Sequence, residues 1–170
     1  MCNLKCSHCY IDAKKTRDQS ELTTEEGKML IDQIAEVSKP ILVLSGGEPM
    51  LREDIFELAS YGVKKGLRVT MGTNGTLISD ETANKIASAG IKTVAISIDS
   101  SSPKIHDEFR GVEGAWKRTI EGIEACIRNG IKVQFNITVT RQNYYDVKNV
   151  FSMAENYHIQ DAHLFFLIST

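Results

Sequence analysis

The sequence predicts an α/β domain built on a parallel sheet. The first observation is a regular alternation of short apolar runs with amphipathic stretches. The second is a recurring joint: Gly66-Leu67-Arg68, Gly90-Ile91-Lys92 and Gly130-Ile131-Lys132 each lead directly into an apolar run. A helix that ends on Gly can take the left-handed conformation that stops it at once, and joints this short between helix and strand make βαβ units. The third is length. The 170 residues contain no Pro/Gly/Ser linker and no low-complexity tract, which fits one domain with a sizeable core. A partial (β/α)6 barrel and a doubly wound sheet both satisfy this pattern. Either one gathers active residues at the C-terminal ends of its strands.

Taken in order, Thr23-x-x-Glu26 reads as a capping box opening a helix over about 23–37, with Leu30, Ile34 and Val37 at helical spacing before Pro40. Ile41-Leu42-Val43-Leu44 is continuously apolar, as for a strand buried on both faces. A second helix follows with Ile55, Leu58, Ala59 and Val63 on one side. The strand Val69-Thr70-Met71 comes next, then a helix over about 79–89 capped by Ser79, then the strand Val94–Ile98. His106-Asp107-Glu108-Phe109-Arg110-Gly111 reads as part of a longer loop. A helix over about 114–129 turns Ile120, Ile123 and Ile127 inward and leads to the strand Val133–Ile137. A last helix, about 144–157, carries Val147, Val150, Phe151 and Ala154 on one side, and a strand near 162–168 closes the chain. Tyr144-Tyr145 and Phe165-Phe166 read as packing aromatics, Trp116 as packing at its helix start, and His158 and His163 as structural or exposed. That makes five strands, with a sixth expected before Cys2. The chain therefore reads as one domain over 1–170, a piece of a longer protein cut before its first strand and after its last.

Composition excludes several classes. Hydrophobic residues are 42% and charged residues 25%, ordinary for a globular domain. A net charge of −2 and a pI near 6.1 give no bulk attraction to nucleic acid or a membrane surface. No apolar run of transmembrane length and no secretory leader pattern is present, so a cytoplasmic setting is expected.

Three of the four cysteines, Cys2, Cys6 and Cys9, fall within eight positions as C-x3-C-x2-C. Bunched thiols read as metal ligands rather than a disulfide framework. A structural zinc site would need His8 as a fourth ligand beside its neighbour Cys9, which is sterically crowded. An iron–sulfur cubane is normally held by four thiolates, and three would leave one iron open. Cys126, alone in a helical pattern, reads as a small buried hydrophobe.

The strand ends carry the other candidates. Ser45-Gly46-Gly47-Glu48-Pro49 follows the first strand: two glycines admit close approach to the backbone, Pro49 fixes the exit, and Glu48 can pair with an ammonium. Taken without its neighbours this is also a simple βα turn. Thr73-Asn74-Gly75 follows the second strand and reads equally as an Asn-Gly turn. Ser97 and Asp99, two apart at the end of the third strand, share a side by alternation and suit a diol, or start a turn. Asn136 is polar in an apolar strand and needs partners.

The cysteine triplet followed at this distance by Gly-Gly-Glu-Pro resembles the radical S-adenosylmethionine (SAM) enzymes, over essentially the whole chain. The resemblance implies a partial (β/α)6 TIM-type barrel. It further implies a [4Fe–4S] cluster on Cys2, Cys6 and Cys9, with SAM on the fourth iron and reductive cleavage to a 5′-deoxyadenosyl radical that abstracts hydrogen from a substrate. By the same resemblance His8 lies near the adenine, and Gly46, Gly47, Glu48 and Pro49 hold the SAM amino group. Thr73 and Asn74 lie beside SAM, Ser97 and Asp99 contact its ribose, Arg110 grips its carboxylate, and Asn136 either faces SAM or is a satisfied core amide. No residue is singled out as catalytic. The His106-Asp107-x-x-Arg110-Gly111 run is similar to the subgroup with C-terminal auxiliary-cluster extensions, which includes haem-biosynthesis enzymes acting on tetrapyrroles and peptide maturases. Leu164-Phe165-Phe166-Leu167 favours the haem members. A small-molecule or peptide substrate and a flavodoxin- or ferredoxin-type electron donor are implied with it.

Overall fold

The structure, a computed structural model, describes residues 1–9, 11, 13, 16 and 20–167. Most of the polar stretch 12–20, which reads from the sequence as a solvated loop, and Ile168 at the end of the expected closing strand lie outside those. Five parallel strands, β1 (Ile41–Leu44), β2 (Arg68–Thr73), β3 (Thr93–Ser97), β4 (Lys132–Val139) and β5 (Asp161–Phe166), pair in sequence order. With their helices they form a curled half-barrel, a partial TIM-type barrel rather than a doubly wound sheet, because every new strand adds on the same edge.

The helices are α1 (Thr24–Val37), α2 (Ile55–Lys64), α3 (Asp80–Ser88), α4 (Pro103–Arg110), α5 (Ala115–Arg128) and α6 (Val147–Asn156). The capping box is formed: Thr23 Oγ1 accepts from the Glu26 backbone and Glu26 accepts from the Thr23 N–H. Ser79 caps α3 through the Thr82 N–H. The three recurring glycines all sit at positive φ, +83°, +85° and +70°, which is what lets each helix stop and turn into its strand within a few residues.

The two faces of the sheet differ in kind. Val69 and Met71, Val94 and Ile96, and Val133, Phe135 and Ile137 are buried beneath the helices. Among the described residues no helix covers the other face, and one row of it is small and polar: Gly72, Ala95, Gln134 and Asp161 stand in register across four strands. This face explains a correction at β1. Its strand was expected to be buried on both sides, yet Ile41 and Val43 are 47% and 57% exposed, because they point to the side that no helix covers.

Other expectations hold in part: Ile34, Ile120 and Ile123 pack against the core as expected, and the rest of each face differs. In α1 the inward residues are Gly27 and Ile31, while Leu30 and Val37 are exposed. In α5 the stripe is Thr119, Gly122, Ile123 and Cys126, and Ile127 is exposed. Cys126 is fully buried, its thiol pushed up to about 12 by burial alone, so it is a hydrophobe in practice. Tyr144 and Tyr145 precede α6 as an exposed edge-to-face pair, and Phe165 and Phe166 are also exposed, so none of the four packs the core as expected. No helix among the described residues is long and apolar enough to cross a membrane.

Candidate functional site

The cysteine loop lies across the C-terminal ends of the strands and is held at both ends by backbone. At one end the Glu48 N–H donates to the Met1 carbonyl at 2.8 Å. At the other the Lys5 and Ser7 N–H groups donate to the carbonyls of Arg110 and Phe109, both at 3.0 Å. The His8 ring stacks on Phe109 with centroids 4.3 Å apart. Side chains fasten the middle: Asn74 Nδ2 donates to Asn3 Oδ1 at 2.9 Å, and Asn3 Nδ2 to Thr76 Oγ1 at 2.8 Å.

Gly47 and Gly111 are the contact points of that clamp. A Cβ on Gly47 would run into the Met1 carbonyl, and one on Gly111, which sits at φ +66°, into the Lys5 carbonyl. The segment read from the sequence as a loop is helix α4, and much of its motif is scaffolding. Pro103 starts it and Gly111 ends it in the left-handed conformation. The Asp107 carboxylate accepts from the Gly114 and Trp116 N–H groups at 2.6 and 2.7 Å and so opens α5. Trp116 Nε1 donates to the Ser100 carbonyl.

Between this loop and the strand ends lies a cavity of about 220 Å³. Cys2, Cys6, Cys9 and His8 form one wall. Gly46 and Gly47, then Thr73 and Asn74, form the side above β1 and β2. Ser97, Asn136 and Arg110 line it as well, with Leu4, Ile11 and Ser45, and with Gly72 and Thr138, which the sequence did not single out. Thr138 was legible by alternation, two residues beyond Asn136 on β4.

Three expected cofactor residues stand behind the wall rather than on it. Glu48 is 3% exposed, and its carboxylate accepts from Thr73 Oγ1 at 2.7 Å and from the Asn74 and Met50 N–H groups at 2.9 and 3.1 Å. Burial raises its pKa against those bonds. Pro49 is buried at the start of a short 3₁₀ turn. Asp99 lies past the end of β3, where strand alternation no longer applies, so it does not share the outlook of Ser97. It is fully buried, accepts from the Thr138 N–H at 3.0 Å and ion-pairs with Arg110 at 2.5 Å.

Asn143 and Asp146, also unremarked in the sequence, fix that turn. Asn143 Nδ2 donates to the carbonyls of Asp99 and Thr138, both at 2.8 Å, and Asp146 accepts from Ser100 and Ser101.

The donor set fits a cluster. The cysteines are free thiols on one wall, and each sulfur accepts an N–H: Cys2 from Leu4, Cys9 from Ala13, and Cys6 from Arg110 Nη1 at 3.7 Å. Such bonds favour the thiolate form that ligates iron. Burial pushes the Cys6 thiol up, and the Arg110 cation pulls it back. Among the described residues no three His, Cys, Asp or Glu side chains are gathered around a single point. A cubane instead spreads its three cysteines over three irons.

The family profile described as the Radical SAM superfamily matches residues 1–154. The chain belongs to the radical SAM superfamily. An AdoMet-dependent heme synthase of Methanosarcina barkeri is 43% identical over 169 residues, 99% of this chain and 48% of that protein. The Fe-coproporphyrin III synthase of the same organism is 44% identical over 154 residues, 91% of this chain and 38% of that protein. This radical SAM chain thus spans less than half the length of either relative. Streptococcus suis SuiB, solved bound to S-adenosylmethionine, superposes with a TM-score of 0.83 at 22% identity, over 99% of this chain and 39% of that one, a likeness of fold.

Proposed function

We propose that this chain binds a [4Fe–4S] cluster through Cys2, Cys6 and Cys9 and SAM in the adjoining cavity, as the core of an enzyme that abstracts hydrogen from a tetrapyrrole in haem biosynthesis. The observation that carries the cofactor reading is the clamped cysteine loop, whose three sulfurs face the same cavity as Gly46, Gly47, Ser97 and Asn136. What supports the tetrapyrrole is the 43–44% identity to the two relatives named for haem and iron-coproporphyrin synthesis. When bound, cluster and SAM supply a 5′-deoxyadenosyl radical by one-electron reductive cleavage.

The chain's own residues have physical tasks in this reading. Arg110 puts a buried cation beside Cys6 and the cavity, balancing the anionic charge of thiolates and of a SAM carboxylate. Asp99 holds that guanidinium in place. Glu48 braces Thr73 and Asn74 from behind, and so shapes the wall that SAM meets. Gly46, with nothing within 4 Å of its missing side chain, leaves backbone open to a ligand, and Gly47 admits the Met1 carbonyl that seats the cysteine loop. Leu4 and Ile11 add apolar surface that limits water. A low-potential donor of the flavodoxin or ferredoxin type supplies the electron.

The test is anaerobic reconstitution with iron and sulfide, followed by EPR of the dithionite-reduced protein with and without SAM. A reduced-cubane signal that SAM perturbs is expected. Stoichiometric zinc with no cluster would sink the reading.

A further inference from the structure

The face of the sheet that no helix covers carries a second polar arrangement, one strand beyond the cavity. Strands β4 and β5 pair with Gln134 opposite Asp161, Asn136 opposite His163 and Thr138 opposite Phe165. Residues in register on parallel strands share a face. Ser97 stands opposite Asn136 in turn, so Ser97, Asn136 and His163 form one row across β3, β4 and β5. The first two line the cavity. Neighbouring strands lie about 4.8 Å apart, which puts His163 at the next position outward from the SAM side of the site.

Gln134 ties this row together. Its Nε2 lies 2.8 Å from Asn136 Oδ1 and 3.0 Å from His163 Nδ1. An amide nitrogen has two hydrogens, and both are spent on these acceptors. His163 Nδ1 is then an acceptor, and its ring proton sits on Nε2. Asn136 Oδ1 is likewise occupied, which leaves Nδ2 as the donor end of a side chain on the cavity wall. One glutamine thus orients two donors, Asn136 Nδ2–H and His163 Nε2–H. His163 is exposed, and so is Phe165, two residues on and on the same face. Asp161, one layer below, is the acidic residue on this face of β5.

Two fixed donors beside an exposed aromatic ring suit an acceptor group carried on a flat apolar body. We propose that His163 is a substrate-side residue that donates from Nε2 to a carboxylate of the substrate, with Gln134 setting its tautomer. This rests on the tetrapyrrole reading above, whose substrates carry propionate carboxylates on an apolar macrocycle. It gives the patch next to the SAM cavity a task in holding the substrate for hydrogen abstraction.

The experiment uses the reconstituted protein that carries this chain, with SAM present. Fe-coproporphyrin III and its propionate methyl ester are titrated separately and followed by Soret absorbance, for wild type, His163→Ala and His163→Lys. Wild type is expected to bind the acid more tightly than the ester. His163→Ala should cut that preference by about tenfold, the worth of one hydrogen bond to a charged group. His163→Lys, which restores a donor, should regain most of it. Cluster content and substrate-free SAM cleavage should stay within about twofold, since His163 touches neither site.

An acid-over-ester preference unchanged in His163→Ala would overturn the assignment and leave the tetrapyrrole reading standing. So would an equal loss for acid and ester, which would mean packing rather than carboxylate recognition. If wild type binds neither compound while its cluster responds to SAM, the tetrapyrrole reading and this assignment both fall, and the cofactor reading survives.

Discussion

Arg110 is buried at the cavity wall, yet it faces two groups of opposite demand. Its Nη2 ion-pairs with Asp99 and its Nη1 donates to Cys6. Although burial acts to lower its pKa, the charges of Asp99 and Cys6 raise it, so the cation persists. Removing one partner of a buried pair leaves the other as an uncompensated charge. Arg110→Gln is therefore expected to cost roughly 3–5 kcal/mol in urea unfolding of the cluster-free chain, and Asp99→Asn/Arg110→Gln to recover most of that. A double variant no more stable than Arg110→Gln would mean that the two groups are not coupled. The same double variant isolates the effect on the metal. It keeps the fold but lacks the N–H on the Cys6 sulfur, and hydrogen bonds to cluster sulfurs stabilise the reduced state. Potentiometric EPR should then show a more negative midpoint than wild type. An unchanged midpoint would remove Arg110 from the electrostatics of the cluster.

At the scale of elements, the cysteine loop has little structure of its own and depends on what it docks against. Gly111 must be a glycine twice over, for its φ of +66° and for the Lys5 carbonyl against it. Gly111→Ala should leave the sheet folded but cut reconstituted iron per chain severalfold. Gly130→Ala is the control: it has similar backbone strain at φ +70° with nothing within 4 Å, so it should cost about 1 kcal/mol and leave iron loading intact. Equal iron contents in the two would show that the clamp is not needed. The contact of Gly111 with Lys5 could not be read from the sequence, because it joins residues about a hundred positions apart. Local signals did carry through: the capping box at Thr23, the Ser79 cap and the glycine joints depend on a few adjacent residues and form as expected. Helix α4 was missed because its apolar residues are too few to show a period, and its burial comes from the cysteine loop packed on Phe109. The inward faces of α1 and α5 were legible at Ile34, Ile120 and Ile123 and missed at Gly27 and Gly122, which have no apolar side chain to signal burial yet take close contacts. On the cavity wall, residues at strand ends were legible because topology alone gathers them there. Whether a carboxylate such as Glu48 or Asp99 faces the cavity or braces it depends on its backbone partners, which sequence does not show.

Across the whole molecule the same polar knot ties sheet to helices, and it makes stability depend on pH. His106 on α4 is 1% exposed, and its Nδ1 accepts from the Asp99 N–H at 3.3 Å. Burial, with the Arg110 cation and more weakly His8, holds its pKa down to about 4, against the opposing pull of Asp99 and Asp107. An unfolded histidine titrates near 6.5. Below that pH the unfolded chain takes up a proton that the folded chain refuses, so stability falls as pH falls, and the loss is complete once pH passes below about 4. The full effect is about 3 kcal/mol. Carboxylates held low, such as Asp146, act in a different window, because their contribution is lost only below the ordinary carboxylate range. Glu48, raised by burial, works in the opposite sense, since its protonation in the folded chain favours folding at acid pH. A variant comparison cancels both. His106→Asn keeps an acceptor for the Asp99 N–H and removes the titrating group. Urea unfolding of wild type and His106→Asn at pH 7 and pH 4.5 should show a larger drop in wild type, by up to about 1.4 kcal/mol for each pH unit crossed between the two pKa values. Equal drops would mean that the imidazole takes its proton in the folded chain as readily as in the unfolded one, and that the knot between β3 and α4 is open to water.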